Sequence, residues 1–142
     1  MNKKYDDPVF GTMEYKHSWV KEEPDSITFF KKQFPVRTVA QAYSGDAVLP
    51  IQQAKYSEAK GALPSLLERQ ADALLSYCCQ FPESAPDLKK EDLPSLLVPR
   101  TLLFQKDGSW GILFDYEKDP ENGLALFCEN GEWQVGPQDA FL

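Results

Sequence analysis

The fold is decided near the end of the chain by the stretch GLALFCENGEWQVGPQDAFL, which runs from Gly123 to Leu142. Two apolar runs, GLALFCE and EWQVG, flank the pair Asn130-Gly131. Asn-Gly is among the strongest local hairpin signals, because both turn positions need positive φ and these residues tolerate it at low cost. We therefore predict the last hairpin of an antiparallel meander, in which Pro137 stops further pairing.

Further strands are predicted on both sides of the middle of the chain. The runs TLLFQ and SWGILFDYE follow Pro99. KDG joins these two runs to each other and KDPEN joins the second to the last hairpin; both connections have turn compositions. Near the start, Met13 to Trp19 alternates apolar odd positions with polar ones, the period of a half-buried strand. SITFF and FPVRTVAQA also have strand composition, with EEPDS as a turn before them, and Pro35 places its strand at an edge or marks a break.

The segment from position 51 to position 81 has the composition of helices. It is rich in Ala, Leu, Glu, Gln and Lys, and the sequence GALP predicts a break, with Pro64 in the first turn of a second helix. Apolar residues in that second helix recur at alternating spacings of four and three, so they share one buried face. These residues are Leu67, Ala71, Leu74, Cys78 and Phe81.

Together these patterns predict one α+β domain over residues 1–142. Its parts are strands at 9–42, helices at 51–81, a loop at 82–99 with one helical turn near Leu93 to Leu97, and antiparallel strands at 100–142. The N-terminal strands and the C-terminal meander form an antiparallel sheet, and the central helical pair packs against it.

The net charge of −7 is concentrated in the last quarter of the chain. Up to Lys106 there are fourteen Asp and Glu against fourteen Lys and Arg, whereas from Asp107 onward there are eight carboxylates against Lys118 alone. Such a balance opposes binding to nucleic acid or to an anionic membrane surface. The chain has neither a membrane-spanning run nor a secretory start, and its three cysteines, an odd number, suit free thiols, so we expect a cytoplasmic protein.

Sites for metals, cofactors and nucleophilic catalysis are not expected. His17 is the only histidine and has the parity of Met13, so we expect it in the core or at its edge, with a structural or incidental role. Cys78, Cys79 and Cys128 lack the spacing of zinc ligands, and no phosphate-binding loop or nucleophile elbow is present. Of the aromatic residues, Trp110 and Trp133 are expected in the core rather than in an interface.

The carboxylates of the last quarter have three interpretations. Asp115, Glu117 and Asp119 alternate, so they would line one face of a strand that continues that far. The favoured interpretation is a solvated outer face, the next is a partner-binding surface, and the last is the acid and base of a glycosidase.

Motifs at both ends of the chain resemble a known family. They are DDPVFG at 6–11, LLF at 102–104, LFD at 113–115, DPENGLA at 119–125, NG at 130–131 and VGPQD at 135–139. The chain resembles a bacterial family of short domains of unassigned function, often carried near toxin genes and regarded as immunity proteins. The resemblance implies a cytosolic, non-enzymatic α+β domain that binds a toxin; it supplies no catalytic residue and no cofactor.

The sequence therefore leads to the hypothesis of a binding protein that is not an enzyme. Its partner would be a protein, such as a basic toxin domain, which an acidic surface attracts by long-range steering. A small hydrolase working through carboxylates and an accessory or structural domain, monomeric or dimeric, remain as alternatives. The residues predicted to contact the partner are Asp115, Glu117, Asp119, Glu121, Glu129 and Glu132.

Overall fold

The computed structural model describes residues 3–42, 46–80 and 88–142. The strands are β1 Lys4–Asp7, β2 Gly11–Tyr15, β3 Trp19–Lys21, β4 Asp25–Phe29, β5 Lys32–Ala40, β6 Leu97–Phe104, β7 Trp110–Tyr116, β8 Leu124–Glu129 and β9 Glu132–Gly136. The helices are α1 Pro50–Arg69, α2 Ala71–Cys78 and α3 Leu93–Leu96, with 3-10 turns at Lys90–Asp92 and Gln138–Ala140. The predicted α+β class is confirmed.

The strands of the described residues form one mixed sheet in the order β1-β2-β3-β5-β6-β7-β8-β9, and β4 pairs with β5 outside this path. All neighbours are antiparallel except β5 and β6, where Arg37 lies opposite Thr101 in a parallel pair. This parallel pair joins the N-terminal strands to the meander, and α1 and α2 lie in the long crossover that parallel pairing requires. Pro35 pairs with Ser26 of β4 before the parallel pairing begins, which confirms its predicted edge position.

The main core lies between the sheet and the helices. Buried residues of α1 and α2 share one cluster with alternate residues of the strands, and the predicted helix face is confirmed at Leu67, Ala71, Leu74 and Cys78. Phe81, the last residue predicted on that face, lies outside the described residues. A smaller cluster covers the other side of the sheet; it contains Val39, Leu103, Ala125, Phe127 and Phe141.

One buried side chain ties α1 to the sheet where β5 and β6 end. Gln52 donates from Nε2 to the carbonyl oxygens of Gln41 at 2.9 Å and Phe104 at 3.0 Å. Its Oε1 accepts from the Leu49 amide at 2.9 Å, so Gln52 also caps the start of the helix. The crossover therefore enters the sheet at a fixed point.

The predicted helix break is in the wrong place. Helix α1 continues through Gly61 and Pro64 to Arg69, and the break to α2 falls at Gln70, with φ −98° and ψ 8°. Pro64 is exposed, so water can replace the single backbone hydrogen bond that proline forfeits. Packing of Leu63 and Leu66 holds the helix together across the proline.

The strand predicted from Met13 to Trp19 is in fact the hairpin of β2 and β3. The chain reverses at Lys16 to Ser18, where His17 has φ 68°, and Tyr15 lies opposite Trp19. Directly opposed residues of two paired strands lie on the same face of the sheet, so Tyr15 and Trp19 face the same side. The alternation of apolar residues therefore continues across the turn, and the sequence pattern does not reveal it. His17 is therefore exposed at a turn, and the prediction that it lies in the core or at its edge is wrong.

Two other boundaries differ from the prediction. Asp25 and Ser26 of the EEPDS turn already belong to β4, and β6 begins at Leu97, before Pro99, with a register shift between Pro99 and Thr101. The helical turn expected near Leu93 is confirmed as α3. The first part of the predicted loop, up to residue 87, lies outside the described residues.

Candidate protein-binding surface

The meander β6 to β9 that carries the acidic residues has the predicted hairpin at its end. Asn130 and Gly131 have φ 52° and 81°, as a turn of this type requires, and Glu129 lies opposite Glu132 across it. Trp110 is buried, as predicted, and Trp133 is half-buried with its ring edge-on to Trp110 at 5.1 Å between centroids. The turn is therefore held on a packed base.

The six predicted contact residues form two groups at opposite ends of β8. Strand β7 ends at Tyr116, so Asp115 is its one predicted member on the strand, while Glu117, Asp119 and Glu121 lie beyond it. The expectation that Asp115, Glu117 and Asp119 line one strand face is wrong. Glu129 and Glu132 flank the other turn, and the six residues of β8 separate the groups by about 17 Å.

The carboxylate of Asp119 is used to build the turn between β7 and β8. The Asn122 side-chain amide donates to both carboxylate oxygens of Asp119, at 3.0 and 3.1 Å. The Gly123 backbone amide donates to the backbone carbonyl oxygen of Asp119 at 2.9 Å. Gly123 has φ 61°, which favours glycine. Asp119 is thus a structural residue as well as a charged one.

The C-terminal segment fastens this turn. Gln138 donates from Nε2 to the carbonyl oxygen of Phe114 at 2.9 Å, and its backbone amide donates to the carbonyl oxygen of Asn122 at 3.1 Å. Phe141 then stacks on Phe127 at 4.9 Å and covers the smaller core. Residues 138–141 therefore form a clasp that fixes the acidic turn between β7 and β8.

The N-terminal motif DDPVFG is likewise a turn-forming element. The buried Asp7 accepts from the amides of Val9 and Phe10, both at 2.9 Å, and from the side chains of Gln53 and Tyr5. Burial by itself raises the pKa of Asp7, but these four hydrogen bonds outweigh it and lower the pKa below its ordinary value. The motif DDPVFG therefore shapes a turn, as DPENGLA and NG do in the meander.

Most of the charges on the acidic turns have no ion pair among the described residues. Asp115 accepts from Arg100 Nε at 2.7 Å, and both side chains are more than half exposed. The other ion pairs of the described residues join Lys4 to Glu22, Lys16 to Glu14, Lys21 to Asp25, Lys55 to Glu58 and Lys90 to Asp72. Among the six predicted residues, within the described part of the chain, Asp115 alone has an ion pair.

A groove of about 440 Å³ lies beside the first group of carboxylates; we call it the carboxylate groove. Its walls come from α3, the start of β6, and the end of β7 with the following turn. The amide of Glu117 donates to the carbonyl oxygen of Leu96 at 3.0 Å and so fixes the two walls together. The lining residues are Ser95, Leu96, Val98, Asp115, Tyr116, Glu117 and Pro120.

Two other cavities contain basic side chains. One of about 300 Å³ at the tip of the last hairpin is lined by Ile51, Lys55, Trp110 and Cys128, among others. The other, of about 460 Å³, lies on β2, β3 and β5; its lining residues include Glu14, Lys16, Val20, Lys21, Glu22 and Arg37. Both cavities therefore contain a Lys or Arg side chain, whereas the residues that line the carboxylate groove include neither.

A largely buried polar cluster beside the cavity of about 460 Å³ was missed by sequence reasoning. Asp25 accepts from Lys21 at 2.9 Å, from the Tyr56 hydroxyl at 2.8 Å and from the Thr38 hydroxyl at 2.5 Å. Lys21 also donates to the Tyr56 hydroxyl at 2.9 Å. These contacts join β3, β4 and β5 to α1, so the cluster holds the helix on the N-terminal strands.

The titration of this cluster follows from burial and hydrogen bonding. Burial by itself raises the pKa of Asp25, but hydrogen bonds from Thr38, Lys21 and Tyr56 and the charge of Lys21 hold it below its ordinary value. Burial, with the neighbouring Asp25, raises the pKa of Tyr56 to about 12 against the hydrogen bond from Lys21. Asp25 is therefore a largely buried carboxylate whose ionised form depends on its partners.

The remaining residues singled out in the sequence have structural places. Cys78, Cys79 and Cys128 are free thiols, as predicted, and Cys78 is buried in the core, where burial raises its pKa. Within residues 3–42, 46–80 and 88–142, no group of three or more His, Cys, Asp or Glu side chains is arranged to hold a metal ion. No helix of the described chain has the length and apolar character needed to cross a bilayer.

Comparison with known proteins establishes the family. No curated protein and no solved structure matches the chain significantly. A family model does match, over residues 9–142, which is nearly the whole chain, and it confirms the expected relation to a short domain of unknown function. The chain belongs to the family described as a domain of unknown function, DUF6985.

Proposed function

We propose that the chain is a non-enzymatic protein-binding domain that recognises a basic protein through the carboxylates of its C-terminal meander. The observation that carries the proposal is that Glu117, Glu121, Glu129 and Glu132 have no ion pair within the described residues. They lie on turns held by a clasp and a packed hairpin. Because the backbone of these turns is already ordered, a basic partner is attracted without an ordering cost for the turns themselves.

The hairpin tip supports the proposal independently. Glu129 and Glu132 are direct cross-strand partners. Like charges in that relation oppose folding, and opposite charges or a Thr pair would favour it. A local arrangement that costs stability without a structural return is typical of a functional surface.

The finer part of the proposal is that the partner is a toxin and the chain its immunity protein in a bacterial cytoplasm. The resemblance to immunity proteins encoded near toxin genes supports this, and so does the acidic surface, which suits the basic cleft of a nuclease. The free thiols are in keeping with a reducing compartment. The large apolar side chains that are clearly exposed in the described residues are Leu49, Ile51 and Leu142, too few to suggest an apolar dimer face.

The test is capture of a partner at low salt. The tagged full chain is immobilised and exposed to lysate of its native cell, with and without expression of the neighbouring genes, and retained proteins are eluted with increasing salt and identified by mass spectrometry. We expect a basic protein that elutes as salt screens the contact. The double variant Glu117→Lys/Glu132→Lys should lose it.

The matched control carries the same change of charge elsewhere. Glu23 and Glu68 are exposed and have no ion pair in the described residues, so Glu23→Lys/Glu68→Lys should retain the partner. Equal loss in both variants would mean that net charge alone is responsible. A retained set of proteins that ignores salt and both variants would contradict the proposal.

A carboxylate hydrolase is the second candidate, and one observation favours it. The carboxylate groove places Asp115 and Glu117 on one concave surface, as a pair of acid and base requires. Against it, the Asp115 carboxylate is mostly exposed and already holds Arg100. Turnover of model glycosides that is lost in both Asp115→Asn and Glu117→Gln would favour this candidate.

A further inference from the structure

We propose that the carboxylate groove receives an arginine side chain of the protein partner, so that this groove is the centre of the interface. This inference rests on the proposed function and deepens it, because it names the group that the acidic surface recognises. It also selects one of the two acidic ends of β8 as the site of the main contact.

The shape and lining of the groove suit a long side chain with a charged end. Its volume is about 440 Å³, and Leu96, Val98 and Pro120 provide apolar walls. An arginine buries its aliphatic stem against such walls while its guanidinium reaches a carboxylate. Interfaces depend on a few such anchors in pockets, and arginine is among the residues enriched there.

The charges of the groove select a cation. Asp115 and Glu117 are among its lining residues, and no Lys or Arg of the described residues lines it. The cavity at the hairpin tip contains Lys55, and the cavity of about 460 Å³ on β2, β3 and β5 contains Lys16, Lys21 and Arg37. Charge complementarity therefore favours the groove over these two cavities for a basic anchor.

The chain itself shows that this wall binds a guanidinium. Arg100 reaches across from β6 and donates from Nε to Asp115 Oδ2 at 2.7 Å. Within the described residues, no hydrogen bond reaches Asp115 Oδ1 or the Glu117 carboxylate. A second guanidinium can therefore donate two parallel hydrogen bonds to these oxygens from its planar fork of N–H groups. A lysine ammonium lacks this planar geometry and fits such a pair of acceptors less well.

The walls are fixed before any partner arrives. Leu97 pairs with Tyr116 and Val98 with Asp115, and the amide of Glu117 is bound to Leu96. The Ser95 hydroxyl donates to the carbonyl oxygen of Asp92 at 2.6 Å, which holds the short helix in place. A preformed groove loses little conformational freedom on binding.

The experiment is a titration followed by NMR on the 15N-labelled full chain. The probe is N-acetyl-arginine methylamide, and its matched control is N-acetyl-citrulline methylamide, which has the same shape and no charge. The arginine probe should shift the amide signals of Leu96, Val98 and Glu117 saturably, and the citrulline probe should not. Glu117→Gln should weaken the arginine probe about threefold or more, as loss of an exposed charged contact does.

The control variant is Glu68→Gln, an exposed residue of α1, which should leave the titration unchanged. Equal shifts with citrulline, unchanged binding in Glu117→Gln, or shifts that centre on Glu129 and Glu132 would overturn the inference. If a basic partner is captured and the groove ignores the arginine probe, the proposed function stands and this inference falls. If the probe binds and no basic partner is captured, the groove is a guanidinium site and the proposed function falls.

Discussion

Replacement of Asp25 by Asn should lower the free energy of unfolding by about 3–5 kcal/mol. The substitution keeps the shape of the side chain and removes the charge that three partners address. Lys21 then remains as a nearly buried ammonium, with 14% of its side chain exposed, and the cluster no longer contains the negative charge that compensates it. Urea denaturation of the wild type and the variant at pH 7 measures the difference.

The matched control is Asp72→Asn, the same substitution in an exposed ion pair. Asp72 contacts Lys90 at 3.3 Å with 88% of its side chain exposed, so its loss should cost less than about 1 kcal/mol. A loss for Asp25→Asn no larger than that for Asp72→Asn would show that the buried cluster does not support the fold.

The same carboxylate gives a dependence on pH with a definite sign. The folded pKa of Asp25 lies below its unfolded value, which is about 3.9, so the unfolded state binds more protons as the pH falls through this range. The stability due to ionised Asp25 is present above about pH 4 and is lost as the pH falls toward the folded pKa. In Asp25→Asn the decrease between about pH 5 and pH 3 should be smaller than in the wild type.

Replacement of Gly111 by Ala should destabilise the chain by about 2–3 kcal/mol, the cost of overfilling a packed site. A Cβ at this position would lie 2.6 Å from both the carbonyl oxygen of Leu126 and the Cβ of Phe127. Because Gly111 pairs with Phe127 in the middle of the meander, β7 and β8 would have to move apart. Thermal unfolding followed by circular dichroism measures the change.

The same substitution in α1 should have the opposite effect. A Cβ added at Gly61 would meet no atom of a neighbouring residue within 4 Å, so Gly61→Ala should stabilise the helix by roughly 0.5–1 kcal/mol through its better helix propensity. A Gly111→Ala variant as stable as the wild type would contradict the close approach of β7 and β8.

Local chemistry made part of this fold predictable. The last hairpin follows from Asn130-Gly131, whose positive φ values are a property of those two residues. The buried face of α2 follows from the spacing of its apolar residues. Neither depends on what is distant in the sequence.

Contacts between distant segments set the rest. Lys21, Asp25 and Tyr56 form one cluster although Tyr56 is 35 residues from Lys21, and by sequence both charges resemble solvated surface residues. The parallel pairing of β5 with β6 is likewise invisible in either strand. Pro64 suggested a break between two helices. In the structure, the packing of residues on both sides of Pro64 keeps α1 continuous.

The candidate surface was predictable in composition and not in arrangement. The excess of carboxylates after Asp107 is evident from the sequence, but their alternation suggested one strand face. A turn begins after Tyr116, so Glu117 and Asp119 do not belong to β7. Asn122 and Gly123 hydrogen-bond to Asp119 within this turn and close it before the strand can continue. The groove beside them needs α3, whose place in space the sequence does not indicate.

The most direct test of the central claim is the rate constant of association with the captured basic partner, measured by stopped-flow fluorescence at several salt concentrations. For Glu117→Lys/Glu132→Lys we predict association about tenfold or more slower than the wild type at low salt, with a flatter dependence on salt. Glu23→Lys/Glu68→Lys should retain most of the wild-type rate and slope. Identical rates and salt slopes for the wild type and Glu117→Lys/Glu132→Lys would contradict binding through the acidic meander.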